Sequence, residues 1–168
     1  MLILGLDPGS RHTGYGLLEV RGSRLHLLEQ GTFSPPAREP VPARLAFLGQ
    51  AVGDLLERTH PEVAALETPF FGLNVKSLIV LAQARGALLA EVARRQIEVL
   101  EYSPAEIKSA LTGNGRAQKA QVARMVGLLL GRDGARWTSD ASDALAVAIC
   151  CARRYRLDRI TAFQVGRK

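Results

Sequence analysis

The 168-residue chain reads as a single α/β domain spanning residues 1–168, built on a mixed five-stranded sheet with helices on both faces. Two observations predict this class. Three strand-like stretches follow one another directly at the start, which implies an antiparallel section. Strand and helix patterns then alternate, and a strand-helix-strand unit calls for a parallel crossover.

Leu2-Ile3-Leu4-Gly5-Leu6-Asp7 is a short run of branched apolar residues closed by a carboxylate and Pro8-Gly9, the pattern of a buried strand entering a tight turn. Residues 14–20 and 24–33 continue as two strands joined at Arg21-Gly22-Ser23, consistent with a hairpin. A proline-rich loop, 34–42, leads to a helix with Leu45, Leu48, Val52, Leu55 and Leu56 on one face, stopped at Thr59-His60-Pro61. Val63-Ala64-Ala65-Leu66-Glu67 is a second apolar run ending on a carboxylate.

A long helix over 75–95 and a strand over 97–102 come next. Ser103-Pro104-Ala105-Glu106 joins an N-cap serine, a first-turn proline and a Glu at the third position, a strong helix start. That helix stops at Thr112-Gly113-Asn114-Gly115, and another covers 117–130 before Gly131. A polar turn, 132–137, precedes a last helix from near Ser139 with Leu145, Ala148, Ile149 and Ala152 as its apolar stripe. The basic tail, 153–168, is weakly patterned and carries no assignment beyond a candidate short strand.

Composition narrows the function classes. Apolar residues make up 47%, ordinary for a globular protein, and the longest unbroken apolar run, 144–152, is too short to cross a bilayer. The first residues lack a basic n-region and soon meet a carboxylate, so no secretory signal is read and a cytoplasmic protein with no membrane partner is expected. Cys150 and Cys151 are neighbours whose side chains diverge on a helix, and they read as small buried hydrophobes. The 22 basic against 16 acidic residues, a net charge of +6, favour a polyanionic partner. At 5% aromatics, contact with a nucleic acid would rest on phosphates and a few exposed rings.

Asp7 and Glu67 each end a short apolar strand, where an ionised carboxylate is costly to desolvate unless something positive meets it. Taken alone, Asp7 also fits a turn cap, and Asp140 and Asp143 fit favourable first-turn acids of a helix. Their three-residue spacing puts both carboxylates on one helix face. Taken together, four carboxylates sharing one sheet edge need cations to neutralise them. All-oxygen ligands select Mg²⁺ or Mn²⁺, and two such ions would activate water and stabilise the leaving oxygen in phosphoryl displacement. Lys108, Lys119 and, more weakly, Arg116 are candidate phosphate contacts or else solvated surface charges. Phe70, in the loop after Glu67, is a candidate for contact with an unstacked base or else a ring folded back over the core.

Asp7-Pro8-Gly9 with Thr13-Gly14-Tyr15-Gly16, Glu67-Thr68-Pro69-Phe70, Gln83-Ala84-Arg85-Gly86 and Asp140-Ala141-Ser142-Asp143-Ala144-Leu145-Ala146 resemble, in order and over nearly the whole chain, the RuvC family of Holliday junction resolvases. The resemblance implies a ribonuclease H-like fold and a homodimer that nicks four-way DNA junctions symmetrically with Mg²⁺ or Mn²⁺, in concert with the branch-migration helicase of the same system. It matches Asp7, Glu67, Asp140 and Asp143 to the catalytic acids, Phe70 to the base-contacting aromatic, and Lys108 and Lys119 to phosphate-contacting lysines. The helix carrying Gln83-Ala84-Arg85-Gly86 looks like the dimer-forming one. Some members have His where this chain has Asp140. The readings set against this are a ribonuclease H-like nuclease acting on RNA or other branched DNA, an actin-like phosphate-binding fold, for whose second lobe 168 residues leave no room, and a non-catalytic DNA-binding or structural module.

Overall fold

A computed structural model describes residues 1–68 and 75–165, with side chains as far as Tyr155. The elements in chain order are β1 (Leu2–Asp7), β2 (Thr13–Arg21), β3 (Arg24–Phe33), α1 (Val41–Thr59), β4 (Val63–Glu67), α2 (Val75–Arg94), β5 (Glu98–Tyr102), α3 (Pro104–Thr112), α4 (Lys119–Leu129) and α5 (Ser139–Val165). They form one five-stranded sheet in the order β3-β2-β1-β4-β5. β1, β2 and β3 pair antiparallel through short turns, whereas β4 pairs parallel with β1 and β5 with β4, each reached by a helical crossover. The mixed sheet predicted above is therefore present.

Strand side chains alternate between two apolar layers. On one face Leu4, Leu6, Tyr15, Leu17, Ala64 and Leu66 pack against Leu48, Val52, Leu55 and Leu56 of α1 and Leu88 and Val92 of α2. On the other, Ile3, Leu18, Val63 and Ala65 pack against α3, α4 and the buried run of α5, including Leu145, Ile149, Cys150 and Cys151. Both cysteines are free and buried, in keeping with their reading as small hydrophobes.

The helix ends follow the local chemistry. Ser103 and Glu106 close a reciprocal capping box on α3, and Gly113, at φ 75°, ends it with its N–H on the Ser109 carbonyl. α1 stops where His60 turns left-handed at φ 45°, its N–H on the Leu56 carbonyl, just before Pro61. The tail, unassigned in sequence beyond a candidate short strand, continues the last helix, and α5 spans 27 residues in all. From Arg153 to Val165 the sequence has no Gly or Pro to stop the last helix. Arg154 pairs with Glu106 at 3.0 Å, and the Tyr155 hydroxyl donates to Glu98 at 3.0 Å, fastening this extension to α3 and β5. Among the described residues no helix is long and apolar enough to cross a membrane.

α5 lies directly on the β1–β2 pair because three strand positions beneath it have no side chain. A Cβ built on Gly5 would sit 2.0 Å from the Ala144 carbonyl oxygen, one on Gly14 2.0 Å from that of Asp140, and one on Gly16 2.5 Å from Leu145 Cδ2. Gly5 and Gly16 are partners across the β1–β2 ladder, and Gly14 partners Asp7. A methyl at Gly5 must push the helix off the sheet, so Gly5→Ala is expected to cost about 2–3 kcal/mol. By calorimetry this should lower the melting temperature by roughly 5–10 °C. Gly22→Asn, in a left-handed turn with open space around it, should leave the melting temperature close to wild type.

Candidate active site

The strand alternation that fills the two layers also aims the acids. Ile3 and Val63 face α5, so the odd-numbered positions that follow on β1 and β4 face it too, and the last of each strand are Asp7 and Glu67. The two strands are parallel neighbours, in register from Ile3 with Val63 to Leu6 with Leu66, so both carboxylates leave the same edge side by side. Thr13, fully buried, closes the turn after Asp7 by donating its hydroxyl to the Gly9 carbonyl at 2.9 Å.

Asp140 and Asp143 arrive from above on the first turns of α5. Thr138 starts that helix: its Oγ1 accepts the Ala141 N–H at 3.2 Å and shares a 2.6 Å hydrogen bond with Thr32 of β3. The helix start is thus tied to the far edge of the antiparallel section, while Gly14 lets its backbone descend beside Asp7. Glu67, Asp143, Lys108 of α3 and Lys119 of α4 then line one cleft of about 240 Å³, together with Pro104, Ile107, Val122, Ala146 and Val147. Arg116 is exposed on the turn before α4 and outside this lining. Phe70 lies outside the described residues.

The electrostatics show four acids acting on one another. Burial, then the charges of Asp143, Asp140 and Glu67, push the Asp7 carboxyl up to about 7, against the pull of Lys119. Burial and Asp143 likewise raise Glu67, opposed by Lys108 and Lys119. Lys119 donates to Asp143 Oδ2 at 2.5 Å. Burial works against the charge on Lys119, but Asp143, Asp7 and Asp140 outweigh it and raise its pKa. As the side chains stand, no three Asp, Glu, His or Cys groups among the described residues are gathered closely enough to hold an ion. The acids repel, and the cation resting among them is a lysine.

Three contributions were not legible from motif spacing. The glycine track under α5 could have been noticed as strand-interior glycines at 5, 14 and 16, all on one face. Thr138 is an ordinary helix cap in sequence, and its tie to Thr32 spans more than a hundred residues. Arg85, within a block read as part of a dimer-forming helix, turns inward instead, donating from Nη1 to the Glu67 carbonyl at 2.7 Å.

Residues 3–151 match the family described as crossover junction endodeoxyribonuclease RuvC. A protein of that name from Maricaulis maris is 44% identical over 154 residues, 92% of each chain. Another, from Xanthobacter autotrophicus, is 46% identical over 147 residues, 88% of this chain and 86% of the relative. Among solved structures, Thermus thermophilus RuvC in complex with Holliday junction substrate superposes with a TM-score of 0.89 at 33% identity, covering 94% of this chain and 96% of that one. A yeast mitochondrial Holliday junction resolvase, at 17% identity and a TM-score of 0.68, shares the fold.

The raised Asp7 carboxyl makes stability depend on pH. Its folded pKa of about 7 lies above the ordinary 3.8, so the folded state binds its proton more tightly. The resulting stability is present below about pH 4 and is lost as pH rises through 7. At 1.36 kcal/mol per unit this amounts to about 4 kcal/mol in metal-free protein. With a chelator present, Asp7→Asn should therefore melt several degrees above wild type at pH 8, with the gap closing by pH 4. Equal melting temperatures at pH 8 would count against the charge cluster.

Proposed function

The chain belongs to the RuvC family of crossover junction endodeoxyribonucleases, and from that premise we propose that it nicks four-way DNA junctions symmetrically by hydrolysing one phosphodiester in each of two equivalent strands. The observation that carries this reading is the convergence of Asp7, Glu67, Asp140 and Asp143 on one face of a sheet edge, with Lys108 and Lys119 beside them.

Mg²⁺ or Mn²⁺ fits the residues present. The donors are all carboxylate oxygens, which suit hard divalent cations, and Asp7 is held near 7 by burial first and then by the charges of Asp143, Asp140 and Glu67, which Lys119 does not offset. Asp7, Glu67, Asp140 and Asp143 would hold the metal, two ions in all. When bound, the cations would supply Lewis acidity that lowers the pKa of the attacking water and offsets charge on the leaving oxygen.

The chain's own groups perform the rest. Asp7 and Glu67, fixed at the ends of paired strands, set one wall of the reaction centre; Asp140 and Asp143, fixed by the start of α5, set the other. Fixed dipoles and charges of this kind need little reorganisation as the reaction proceeds. Lys119, fully protonated on Asp143, and Lys108 at the cleft wall present ammonium donors to phosphate oxygens of the scissile strand. Arg116 adds a phosphate contact farther along the backbone, and Phe70 meets a base beside the cut.

Symmetric cutting requires two sites related by a two-fold axis, hence a homodimer. The first turns of α2 support it as the dimer element: Val75 is 73% exposed and Ile79 53%, a pair of apolar side chains at one-turn spacing. The natural setting is the cytoplasm, with the branch-migration helicase of the same system delivering the junction.

With Mg²⁺ or Mn²⁺, purified protein should nick a synthetic four-way junction and leave a linear duplex intact. Asp7→Asn, or a chelator, should abolish cutting while a mobility-shift assay still detects junction binding; cutting that survives either would overturn the metal-dependent reading. Ile79→Asp should shift the protein towards monomer in sedimentation and lower paired incision more than single-strand nicking.

A further inference from the structure

We propose that Arg85 is a positioning residue for the reacting cluster, locking the end of β4 so that the Glu67 carboxylate is held at its working place. The inference rests on the reading of Glu67 as a member of that cluster.

Arg85 is only 8% exposed, on the inward side of α2 near Ala84, Leu88 and Val92. A guanidinium in such a place is costly to desolvate unless its donors are met by acceptors. Here one donor meets a carbonyl and the charge meets a carboxylate, at two strand ends, while Nη2 makes an ion pair without a hydrogen bond. Nη1 donates to the Glu67 carbonyl at 2.7 Å, and Nη2 pairs with the Glu101 carboxylate at 2.6 Å. Glu101 lies on β5, opposite Leu66 in the β4–β5 ladder. One planar group therefore bridges adjacent strands at their carboxyl ends, a task its fork geometry suits and an ammonium does not.

The bridge comes from the face opposite the chemistry. α2 packs on the layer of Leu4, Leu6 and Leu66, whereas the Glu67 side chain follows Val63 and Ala65 toward α5. Arg85 therefore acts through the Glu67 main chain. The next backbone group, the Thr68 N–H, bonds to the Tyr102 carbonyl at 2.9 Å, so the last sheet hydrogen bond and the guanidinium clasp together fix the point from which the carboxylate projects. Since α2 is also the element proposed to join two subunits, the clasp ties that helix to a reacting-site acid in the same subunit.

Wild type, Arg85→Ala, Arg85→Lys and Glu101→Gln would be compared in single-turnover nicking of a synthetic four-way junction across a Mn²⁺ titration, with junction affinity measured in chelator and melting temperature alongside. Arg85→Ala is expected to raise the Mn²⁺ concentration for half-maximal rate, or lower the rate at saturation, by about 10–100-fold, with junction affinity unchanged. Arg85→Lys should recover part of that loss, since one ammonium can meet the carbonyl. Glu101→Gln, which spares the carbonyl bond, should keep the wild-type Mn²⁺ requirement. Wild-type Mn²⁺ response and rate in Arg85→Ala would overturn the proposal, as would a loss explained wholly by weaker junction binding. If Arg85→Ala fails to fold, Arg85→Lys decides: a raised Mn²⁺ requirement upholds the clasp and a wild-type one removes it. A wild-type protein that nicks no junction would instead overturn the functional reading itself.

Discussion

The contact on which the rest depends is the descent of α5 onto the β1–β2 pair. Helices pack on sheets at a distance set by the side chains between them. Here Gly5, Gly14 and Gly16 remove those side chains along one track, so carbonyl oxygens of Asp140 and Ala144 occupy space that a methyl group would fill. The first turns of α5 carry Asp140 and Asp143, and the close approach brings their charges to bear on Asp7. A helix held farther out by alanines would keep its apolar stripe buried yet separate the acids. The same contact that completes one hydrophobic layer therefore assembles the charge cluster.

That cluster opposes the stability it is built upon. Burial and three neighbouring carboxylates hold Asp7 near 7, so the folded chain carries an electrostatic penalty at neutral pH that Lys119 only partly relieves through Asp143. The surrounding framework resists this repulsion at each anchor: Thr13 closes the turn after Asp7, Thr138 and Thr32 tie down the start of α5, and Arg85 clasps the end of β4. These contacts lie around the acids rather than on them, and the direct contact with a carboxylate oxygen is that of Lys119 on Asp143. The repulsion is concentrated at one edge of the sheet and restrained by the elements around it.

The two faces of the sheet divide the labour. One, covered by α3, α4 and α5, carries all four acids and both lysines of the cleft. The other, covered by α1 and α2, holds an apolar layer and, through Arg85, the back of a strand that ends in Glu67. Because β4 is shared by both layers, α2 is bonded through Arg85 to the strand that ends in Glu67 from the face opposite the acids.

Most of this fold and the candidate acids were legible in the sequence, for local reasons. Alternation and short apolar runs marked the five strands; a capping box and glycine stops marked α3; carboxylates at the ends of apolar runs marked Asp7 and Glu67, since a charge there is anomalous whatever surrounds it. The α5 extension was not legible, because a charged stretch without apolar period gives no sign of helix, and its anchors, Glu106 and Glu98, lie far away in the chain. Nor were the inward turn of Arg85, the Lys119–Asp143 pair, or the reach of Thr138 to Thr32. The residues and their chemistry were determined by sequence, through periodicity and the cost of burying charge. Which of them meet was decided only by tertiary structure, because each such meeting joins separate elements across a packed interface that no local pattern encodes.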